Sequence, residues 1–356
     1  FFFKQKTAYE IVDCDWSSDV CSSDLFKPFS FNNPCLILRS RVFMQVFSYQ
    51  EKKSSFPSSV VTIGNFDGIH LGHRALICSA VHEAKARGCA SALVTFDPHP
   101  QEIIHSQQSV SRICTAVHQL RLLEELGLDE LHVIPFTKEL SQMPPEEFAL
   151  QFLIKRFALA KLVIGYDFRF GKYRAGDFIL LETLSQKYNF SLEEVAPVQE
   201  KGQTVSSTLI RELIQEYRFA EIPSYLGRDF SIYGEVVYGE QRGQKLGFPT
   251  ANIQPGITLA LPNGVYVSKI KLADKTYFGV TNVGKRPTFG ENAVTVETWL
   301  FDFKEDIYGK DIEVIPLFQL RPEKKFSGME DLQNQIKQDV ESARNYLVEH
   351  EFMPVE

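Results

Sequence analysis

A buried strand, a glycine-rich turn and a helix follow one another between Ser59 and Ala84, and this succession constrains the fold most strongly. The β-branched run 59–63 is typical of a strand in a protein interior. The turn 64–73 reads Gly-Asn-Phe-Asp-Gly-Ile-His-Leu-Gly-His. Open α/β sheets bind ligands at the carboxyl ends of their strands, where the next helix N-terminus attracts anions. The pattern predicts a phosphate-binding turn, followed by a helix with an apolar face made of Leu76, Ile77, Ala80, Val81 and Ala84.

Two histidines, His70 and His73, stand three positions apart at the end of this turn. If a helix begins here, both rings project from one face towards the same point, where a phosphorus centre could lie. An isolated pair of this spacing is more often one buried and one exposed histidine, but the glycine turn favours a ligand site. A zinc site is less indicated, since no third ligand with suitable spacing follows and the HExxH pattern is absent.

A second segment, Ser206-Ser207-Thr208-Leu209-Ile210-Arg211, offers hydroxyls and a guanidinium at the predicted start of another helix. These groups suit the phosphates of a nucleoside triphosphate. Taken alone, the segment is also a good helix N-cap with Glu212 near the first turn. It supports a nucleotide site only in combination with the histidine turn.

Two domains are predicted from the change of pattern along the chain. Strands at 59–63, 90–96, 131–136 and 161–165 alternate with helices, which indicates a parallel α/β sheet. After a connecting helix at about 211–225, short alternating segments predict a small antiparallel β-barrel; they span 230–238, 265–272, 277–283, 294–301 and 312–317. A final helix is predicted to begin with a capping box at Ser327 and to pack against the barrel through Leu332, Ile336, Val340, Ala343 and Leu347.

Composition narrows the class of ligand that we expect and the cellular compartment of the protein. The chain has 356 residues, 44% of them hydrophobic, so it can bury more than one core. A formal net charge of −7 gives no broad basic field, so we expect no nucleic-acid partner. Six cysteines without CxxC spacing indicate a reducing cytoplasm, and no apolar run is long enough to predict a membrane span.

Further motifs make the pattern specific: Thr95-Phe96-Asp97-Pro98-His99-Pro100, the segment 165–171 (Gly-Tyr-Asp-Phe-Arg-Phe-Gly) and the segment 246–252 (Leu-Gly-Phe-Pro-Thr-Ala-Asn). With the two segments above, they resemble the HxGH nucleotidylyltransferases and, within them, the bifunctional bacterial riboflavin kinase/FMN adenylyltransferases. The resemblance implies that riboflavin and ATP give FMN in the barrel, and that FMN and ATP give FAD and pyrophosphate in the parallel-sheet domain. It implies small-molecule substrates and a Mg²⁺ requirement for both reactions.

In the first domain the resemblance implies that His70 and His73 are catalytic. It assigns ATP binding to Gly64, Asn65, Phe66, Gly72, Ser207, Thr208 and Arg211. It assigns flavin binding to Asp97, His99, Asp167, Phe168 and Arg169. Alternatives for this flavin set are an ordinary proline turn around Asp97 and buried aromatic packing around Phe168.

In the second domain the resemblance makes Thr250 and Asn252 the ligands of magnesium–ATP, with Gly247 and Pro249 in the same ATP site, and Glu297 the base of the kinase. Two oxygen-bearing side chains two positions apart in an extended segment face one side, as Mg²⁺ ligands require. A rigid proline turn with two solvated polar residues is the alternative. For Glu297, the alternative is an exposed face of the barrel.

One position departs from the family pattern, which usually has Gly-Arg where this chain has Gly243-Gln244-Lys245. A fixed cation is missing at position 244, and Arg242 or Lys245 would have to replace it. A monofunctional FMN adenylyltransferase with a weakened kinase module is therefore an alternative. A non-catalytic flavin-binding regulator is another, although the retained histidines and Glu297 argue against it.

The predicted domains are a non-native or disordered leader at 1–44, the adenylyltransferase domain at 45–211, a connecting helix or linker at 212–227 and the kinase domain at 228–350. Residues 1–25 resemble translated sequencing-adapter read-through, and a genuine disordered tail is the alternative. Met44 is an attractive native start because the first strand is expected soon after it.

Overall fold

A six-stranded parallel sheet organises the first half of the chain. The computed structural model describes residues 44–48, 56–104, 110–239, 243, 247–285 and 294–353. All of them belong to one compact unit. Residues 1–43 of the predicted leader and positions 242, 244 and 245 lie outside the described residues. The strands are β1 (Gln45–Ser48), β2 (Ser59–Ile63), β3 (Ala90–Asp97), β4 (Glu130–Pro135), β5 (Leu159–Gly165) and β6 (Ser191–Val195). Their order is β1-β4-β3-β2-β5-β6, so the chain order reverses beside β2. Ligand crevices in open α/β sheets form at such a switch point.

Helices cover the faces of this sheet. Helix α1 (Leu71–Arg87) buries Ile77, Ala80, Val81 and Ala84, which confirms the predicted apolar face. The helices that follow are α2 (Pro100–Ile104), α3 (Ala116–Glu125), α4 (Lys138–Ser141), α5 (Pro145–Phe148) with a π-helix (Ala149–Ile154), a 3₁₀ turn (Lys172–Arg174), α6 (Phe178–Tyr188) and α7 (Ser207–Gln215). A small hairpin, β7 (Gln199–Glu200) and β8 (Gln203–Thr204), precedes α7.

The connection between the domains is broken into short pieces, so the prediction of one helix over 211–225 is wrong. Helix α7 ends at Gln215, and a 3₁₀ turn (Phe219–Glu221) and α8 (Pro223–Leu226) follow. Tyr217 has φ of 59°, a left-handed conformation that no helix interior accommodates. Pro223 lacks the N–H that a continuing helix would need, and it begins a new helix instead.

The second half is an antiparallel sheet that closes almost into a barrel, as predicted. Its strands are β9 (Ile232–Glu235), β10 (Ala251–Ile253), β11 (Gly264–Leu272), β12 (Lys275–Lys285), β13 (Val294–Leu300) and β14 (Asp311–Arg321), in the order β10-β13-β12-β11-β14-β9. The N–H of Val237, just beyond β9, donates to the carbonyl of Asn252 in β10 over 2.8 Å. This bond joins the two ends of the sheet.

The C-terminal helix α9 (Met329–Glu349) packs against the barrel by burying Ala343 and Leu347 beside Val267 and Phe301. The predicted capping box is wrong. Gly328 is the N-cap residue and makes no side-chain bond, while the Ser327 hydroxyl donates to the carboxylate of Asp331. Because the N-cap residue is a glycine, no side chain at that position accepts a backbone N–H of the first turn.

One hydrophobic core crosses the domain boundary. Ile113 of the first domain and Leu213 of α7 pack in the same buried cluster as Ile232 and Tyr266 of the barrel. Thr115 also donates its hydroxyl to the carbonyl of Tyr233 over 2.8 Å. The parallel-sheet domain and the barrel are therefore packed against each other through a shared interior.

Candidate functional site

The two predicted histidines meet at the carboxyl end of β2. His70 is the N-cap residue of α1, and its Nδ1 accepts the backbone N–H of His73 over 3.2 Å. The two imidazole rings stack with centroids 3.6 Å apart and planes inclined by 18°. The expectation that both rings lie on one side of the helix start is confirmed.

Gly72 leaves the space that the His70 ring occupies. A Cβ atom at position 72 would lie 3.1 Å from Cε1 and 3.2 Å from Nδ1 of His70. Such contacts are tighter than ordinary van der Waals distances, so any side chain here would press on the ring. The glycine between the histidines is therefore a packing requirement of their stacked arrangement.

Both imidazoles are held neutral at neutral pH. Burial, followed by the charges of Arg211 and Arg228, lowers the pKa of His70 to about 4. Burial also holds the pKa of His73 well below its usual range, with His70 and Arg211 adding to the effect. Because Nδ1 of His70 accepts a backbone N–H, the neutral ring carries its proton on Nε2. His70 can thus donate a hydrogen bond from Nε2 to an anion.

An ion pair ties the start of α7 to the glycine turn. Arg211 donates from Nη2 to Oδ2 of Asp67 over 2.6 Å and from Nε to the carbonyl of Ser111 over 2.8 Å. The hydroxyl of Ser207 donates to the carbonyl of Asp67 over 3.0 Å. Ser206 accepts the N–H of Leu209, so the capping alternative correctly describes this serine. Ser207 and Arg211, two of the side chains predicted to bind the triphosphate, therefore contact the histidine turn.

The remaining residues of the predicted ATP set differ in what they can offer. Asn65 is exposed beside Gly64, and its carbonyl accepts the hydroxyl of Thr95 over 3.3 Å. Thr208 is exposed in the first turn of α7. Phe66 is only 1% exposed and its ring packs in the core. The side chain of Phe66 is therefore not available to a nucleotide.

The predicted flavin residues lie at or just beyond the carboxyl ends of β3 and β5, the neighbours of β2. His99 is buried, its Nδ1 accepts the N–H of Gln101 over 3.2 Å, and burial with the charges of Arg112 and Arg211 lowers its pKa to about 4. Asp97 is exposed.

After β5, Asp167 and Arg169 are exposed, and Arg169 pairs with Asp177 over 3.1 Å. The ring of Phe168 stacks on Phe170 with centroids 5.4 Å apart and packs against the core. The alternative of aromatic packing thus describes the contacts of the Phe168 ring with Phe170 and the core.

In the barrel, a cleft of about 400 Å³ includes Pro249, Thr250, Asn252 and Tyr308 in its lining, whereas Glu297 and Gly247 are not among its lining residues. The side-chain amide nitrogen of Asn252 donates to the carbonyl of Thr250 over 3.0 Å. The Oδ1 of Asn252 takes no part in this bond. Asn252 pairs across the strands with Glu297. Gly247 stands at the entry to this segment with φ of 88°.

The donor set at this cleft fits a magnesium ion. Thr250 supplies a hydroxyl and Asn252 a carbonyl oxygen, and Mg²⁺ prefers oxygen ligands with the rest of its shell from water and phosphates. Over the described ranges no group of three or more His, Cys, Asp or Glu side chains is arranged to hold a metal.

No helix in the described part of the chain is long and apolar enough to cross a membrane.

Two residues at the histidine turn are absent from the predicted site. Asp67 lies inside the turn motif, but its partner Arg211 is 144 positions away in sequence. Arg228 donates from Nη2 to the carbonyl of Gly68 over 2.8 Å and from Nη1 to that of Ile69 over 3.3 Å. Asp67 could have been singled out as the only carboxylate of the motif. The local sequence around Arg228 carries no such signal.

Comparisons with known proteins agree with this two-site architecture. Residues 52–209 match the family described as FAD synthetase, and residues 226–347 match the family described as riboflavin kinase. A bifunctional riboflavin kinase/FMN adenylyltransferase of Buchnera aphidicola subsp. Acyrthosiphon pisum is 36% identical over 82% of this chain and 95% of the relative. The protein of the same name from Escherichia coli K12 is 34% identical over 81% of this chain and 92% of its own length.

A more distant relative and a solved structure extend the comparison. The Bacillus subtilis protein, also named bifunctional riboflavin kinase/FMN adenylyltransferase, is 32% identical over 83% of this chain and 94% of its own length. A crystal structure described as a macrolide-efflux protein from Streptococcus pneumoniae superposes with a TM-score of 0.65 at 29% identity. It covers 85% of this chain and 99% of that chain. The similarity therefore spans both domains and the connection between them.

Proposed function

The chain belongs to the bifunctional riboflavin kinase/FMN adenylyltransferase family, and we propose that it makes FAD from riboflavin in two ATP-dependent steps. The barrel phosphorylates riboflavin to FMN with release of ADP. The parallel-sheet domain adenylylates FMN to FAD with release of pyrophosphate. The observation that carries the second assignment is the stacked pair His70 and His73 at the carboxyl end of β2, 3.6 Å apart, at the switch point of the sheet.

In the adenylylation step, a phosphate oxygen of FMN attacks the α-phosphorus of ATP. The bond from that phosphorus to the oxygen bridging to the β-phosphate breaks, and pyrophosphate leaves with its electron pair. His70 donates from Nε2 to an oxygen of the α-phosphate, where negative charge accumulates, and His73 acts beside it. A hydrogen bond from a neutral imidazole requires no proton transfer, which suits groups with lowered pKa values.

We assign the β- and γ-phosphates to Ser207, Thr208 and Arg211. Arg211 has donors beyond the two that Asp67 and Ser111 occupy, so it can contact a phosphate while Asp67 holds its orientation. We also assign Gly64, Asn65, Phe66 and Gly72 of the glycine turn to ATP binding, although the N–H of Gly64 donates to the carbonyl of Val94 over 3.0 Å and is not one of the free donors. We assign FMN to the edge formed by Asp97, His99, Asp167, Phe168 and Arg169.

In the kinase step, the 5′-hydroxyl oxygen of the ribityl chain attacks the γ-phosphorus of ATP and ADP leaves. Glu297 accepts the proton of that hydroxyl. Thr250 and Asn252 would hold Mg²⁺, which neutralises charge on the phosphates when bound. Gly247 and Pro249 shape the chain that brings these two side chains to the cleft.

The full-length protein tests the proposal when it is incubated with ATP and Mg²⁺ and fed either riboflavin or FMN, with all three flavins separated by chromatography. FAD from both feeds is the expected result. FAD from the FMN feed alone would establish the monofunctional alternative raised by Gln244. Bound flavin without any product from either feed would establish the regulator and overturn both assignments.

A further inference from the structure

Arg228 lies where the chain enters the barrel, yet its donors point at the other domain. It follows Gly227, whose φ is 72°, and a Cβ atom at position 227 would lie 2.8 Å from Cδ2 of Leu71, the first residue of α1. The chain thus passes close to the start of the helix that His70 caps. Arg228 falls within the riboflavin kinase match at 226–347, not within the FAD synthetase match.

The carbonyls that accept from Arg228 belong to the two residues before His70. The Gly68 carbonyl accepts Nη2 over 2.8 Å and the Ile69 carbonyl accepts Nη1 over 3.3 Å. A planar guanidinium that bonds two consecutive carbonyls fixes both peptide planes at once, which a single flexible ammonium cannot do. The orientation of these planes sets the direction in which the His70 side chain leaves the backbone.

The turn needs such support because its backbone is unfavourable. Gly68 has φ of 85°, which a glycine tolerates, but the buried Ile69 has φ of 43°. A β-branched residue rarely adopts the left-handed region, and it stays there only when its surroundings hold it. Since Ile69 immediately precedes His70, relaxation of Ile69 would displace the imidazole.

A second set of contacts holds the opposite side of the turn. The N–H of Ile113 donates to the Asp67 carboxylate over 3.0 Å, and a Cβ atom at Gly68 would lie 2.9 Å from Cγ2 of Ile113. The neighbouring Arg112 bonds the barrel: its N–H donates to the carbonyl of Thr258 over 2.8 Å. The turn is therefore confined between a barrel residue and a segment that is itself bonded to the barrel.

We propose that Arg228 is a positioning residue for adenylyl transfer, through which the kinase domain fixes His70 of the other active site. This inference rests on the proposed role of His70 in FAD formation. The barrel accordingly serves two reactions: it carries out the first and holds the geometry of the second.

The test compares Arg228→Gln and Arg228→Lys with the parent protein, using the FMN-fed and riboflavin-fed reactions on the same preparations. We expect Arg228→Gln to lower kcat for FAD formation at least tenfold with KM for FMN within twofold, because binding groups remain while His70 is misplaced. Arg228→Lys, which can bond one carbonyl, should lie between the two. Consumption of riboflavin should stay within twofold, because the kinase cleft is intact.

Arg218→Gln is the matched control, since this exposed arginine of the same connection pairs only with Glu216 and Glu221 among its described salt-bridge partners. It should leave both reactions unchanged. FAD formation within twofold of the parent in folded Arg228→Gln would overturn the inference, and so would an equal loss of both activities, which indicates general unfolding. If the parent itself makes no FAD from FMN, the proposed function fails instead. A fully active His70→Asn would remove the role of His70 on which this inference rests and leave the function standing.

Discussion

Asn252 and Glu297 lie directly opposite each other on the antiparallel strands β10 and β13. Directly paired residues point to the same face of a sheet, so the amide and the carboxylate share one side of the barrel. Glu297 also pairs with Asn282 on the other flanking strand, β12. The proposed metal ligand and the proposed base are therefore fixed by strand register and not by a loop.

From this pairing we expect Glu297→Gln to abolish riboflavin phosphorylation selectively. Loss of a general base typically lowers a rate by about 10²–10⁴. FAD formation from FMN should persist, because the adenylyl site lies in the other domain. The measurement is the initial rate from each feed, with Glu341→Gln on the exposed face of α9 as control. Equal rates of riboflavin consumption in parent and Glu297→Gln would remove Glu297 from the mechanism.

For the histidine pair we expect the reverse selectivity. His70→Asn or His73→Asn should lower FAD formation by about 10²–10³, the usual loss for one preorganised hydrogen-bond donor. Riboflavin should still be consumed, so FMN accumulates in the riboflavin-fed reaction. The control is His82→Asn, an exposed histidine on the same helix. FAD output at the parental level in either variant would exclude that histidine from catalysis.

The stability of the fold should fall as the pH drops below 6.5, and His118 is one measurable cause. Burial is the main reason that the pKa of His118 is lowered to about 4, so between pH 6.5 and 4 the unfolded chain binds a proton that the folded chain does not. This single group should then cost about 2 kcal/mol of stability at pH 5 relative to neutral pH.

His118→Phe removes that proton uptake and keeps an aromatic ring beside Tyr233. The melting temperature of the variant minus that of the parent should rise by several degrees when the pH is lowered from 7 to 5. The difference in melting temperature between variant and parent is compared at the two pH values, because the other buried histidines titrate in both proteins and their effect cancels. A difference that does not change with pH would contradict the assignment.

The ion pair of Arg321 with Asp339 should stabilise the attachment of α9 to the barrel. Arg321 donates from Nε over 3.0 Å and from Nη2 over 2.8 Å to a carboxylate that is 6% exposed. Asp339→Asn leaves the guanidinium without a counter-charge, so we expect a loss of about 3 kcal/mol in the free energy of unfolding. Denaturant unfolding measures it, with the exposed Lys337→Ala as control. An unchanged midpoint would mean that solvent replaces the pair.

Short-range patterns predict the first domain well because each signal depends on adjacent residues. The run 59–63 forms a strand and the apolar positions of α1 are buried, since β-branching and helical spacing act locally. The same spacing predicts that the rings of His70 and His73 project from one face of the helix, but not that they stack.

Features that depend on distant partners are not predictable in this way. Nothing near Arg228 indicates that its guanidinium bonds carbonyls 159 and 160 positions earlier. The break at Tyr217 is missed because apolar spacing alone favours one long helix, although Pro223 marks the interruption. The N-cap of α9 is Gly328 and not Ser327, and the capping pattern alone does not fix this shift of one position; the Ser327 hydroxyl donates to Asp331 instead.

The core in which Ile113 and Leu213 pack with Ile232 and Tyr266 limits which divisions of the gene still encode a stable protein. A gene split between Gln215 and Ile232 would encode two fragments, each with an apolar face in water. The two polypeptide fragments would have to associate with each other to cover these apolar faces. A substitution within one site would leave this shared core intact, whereas deletion of a whole domain would expose the apolar side chains of the other domain to water.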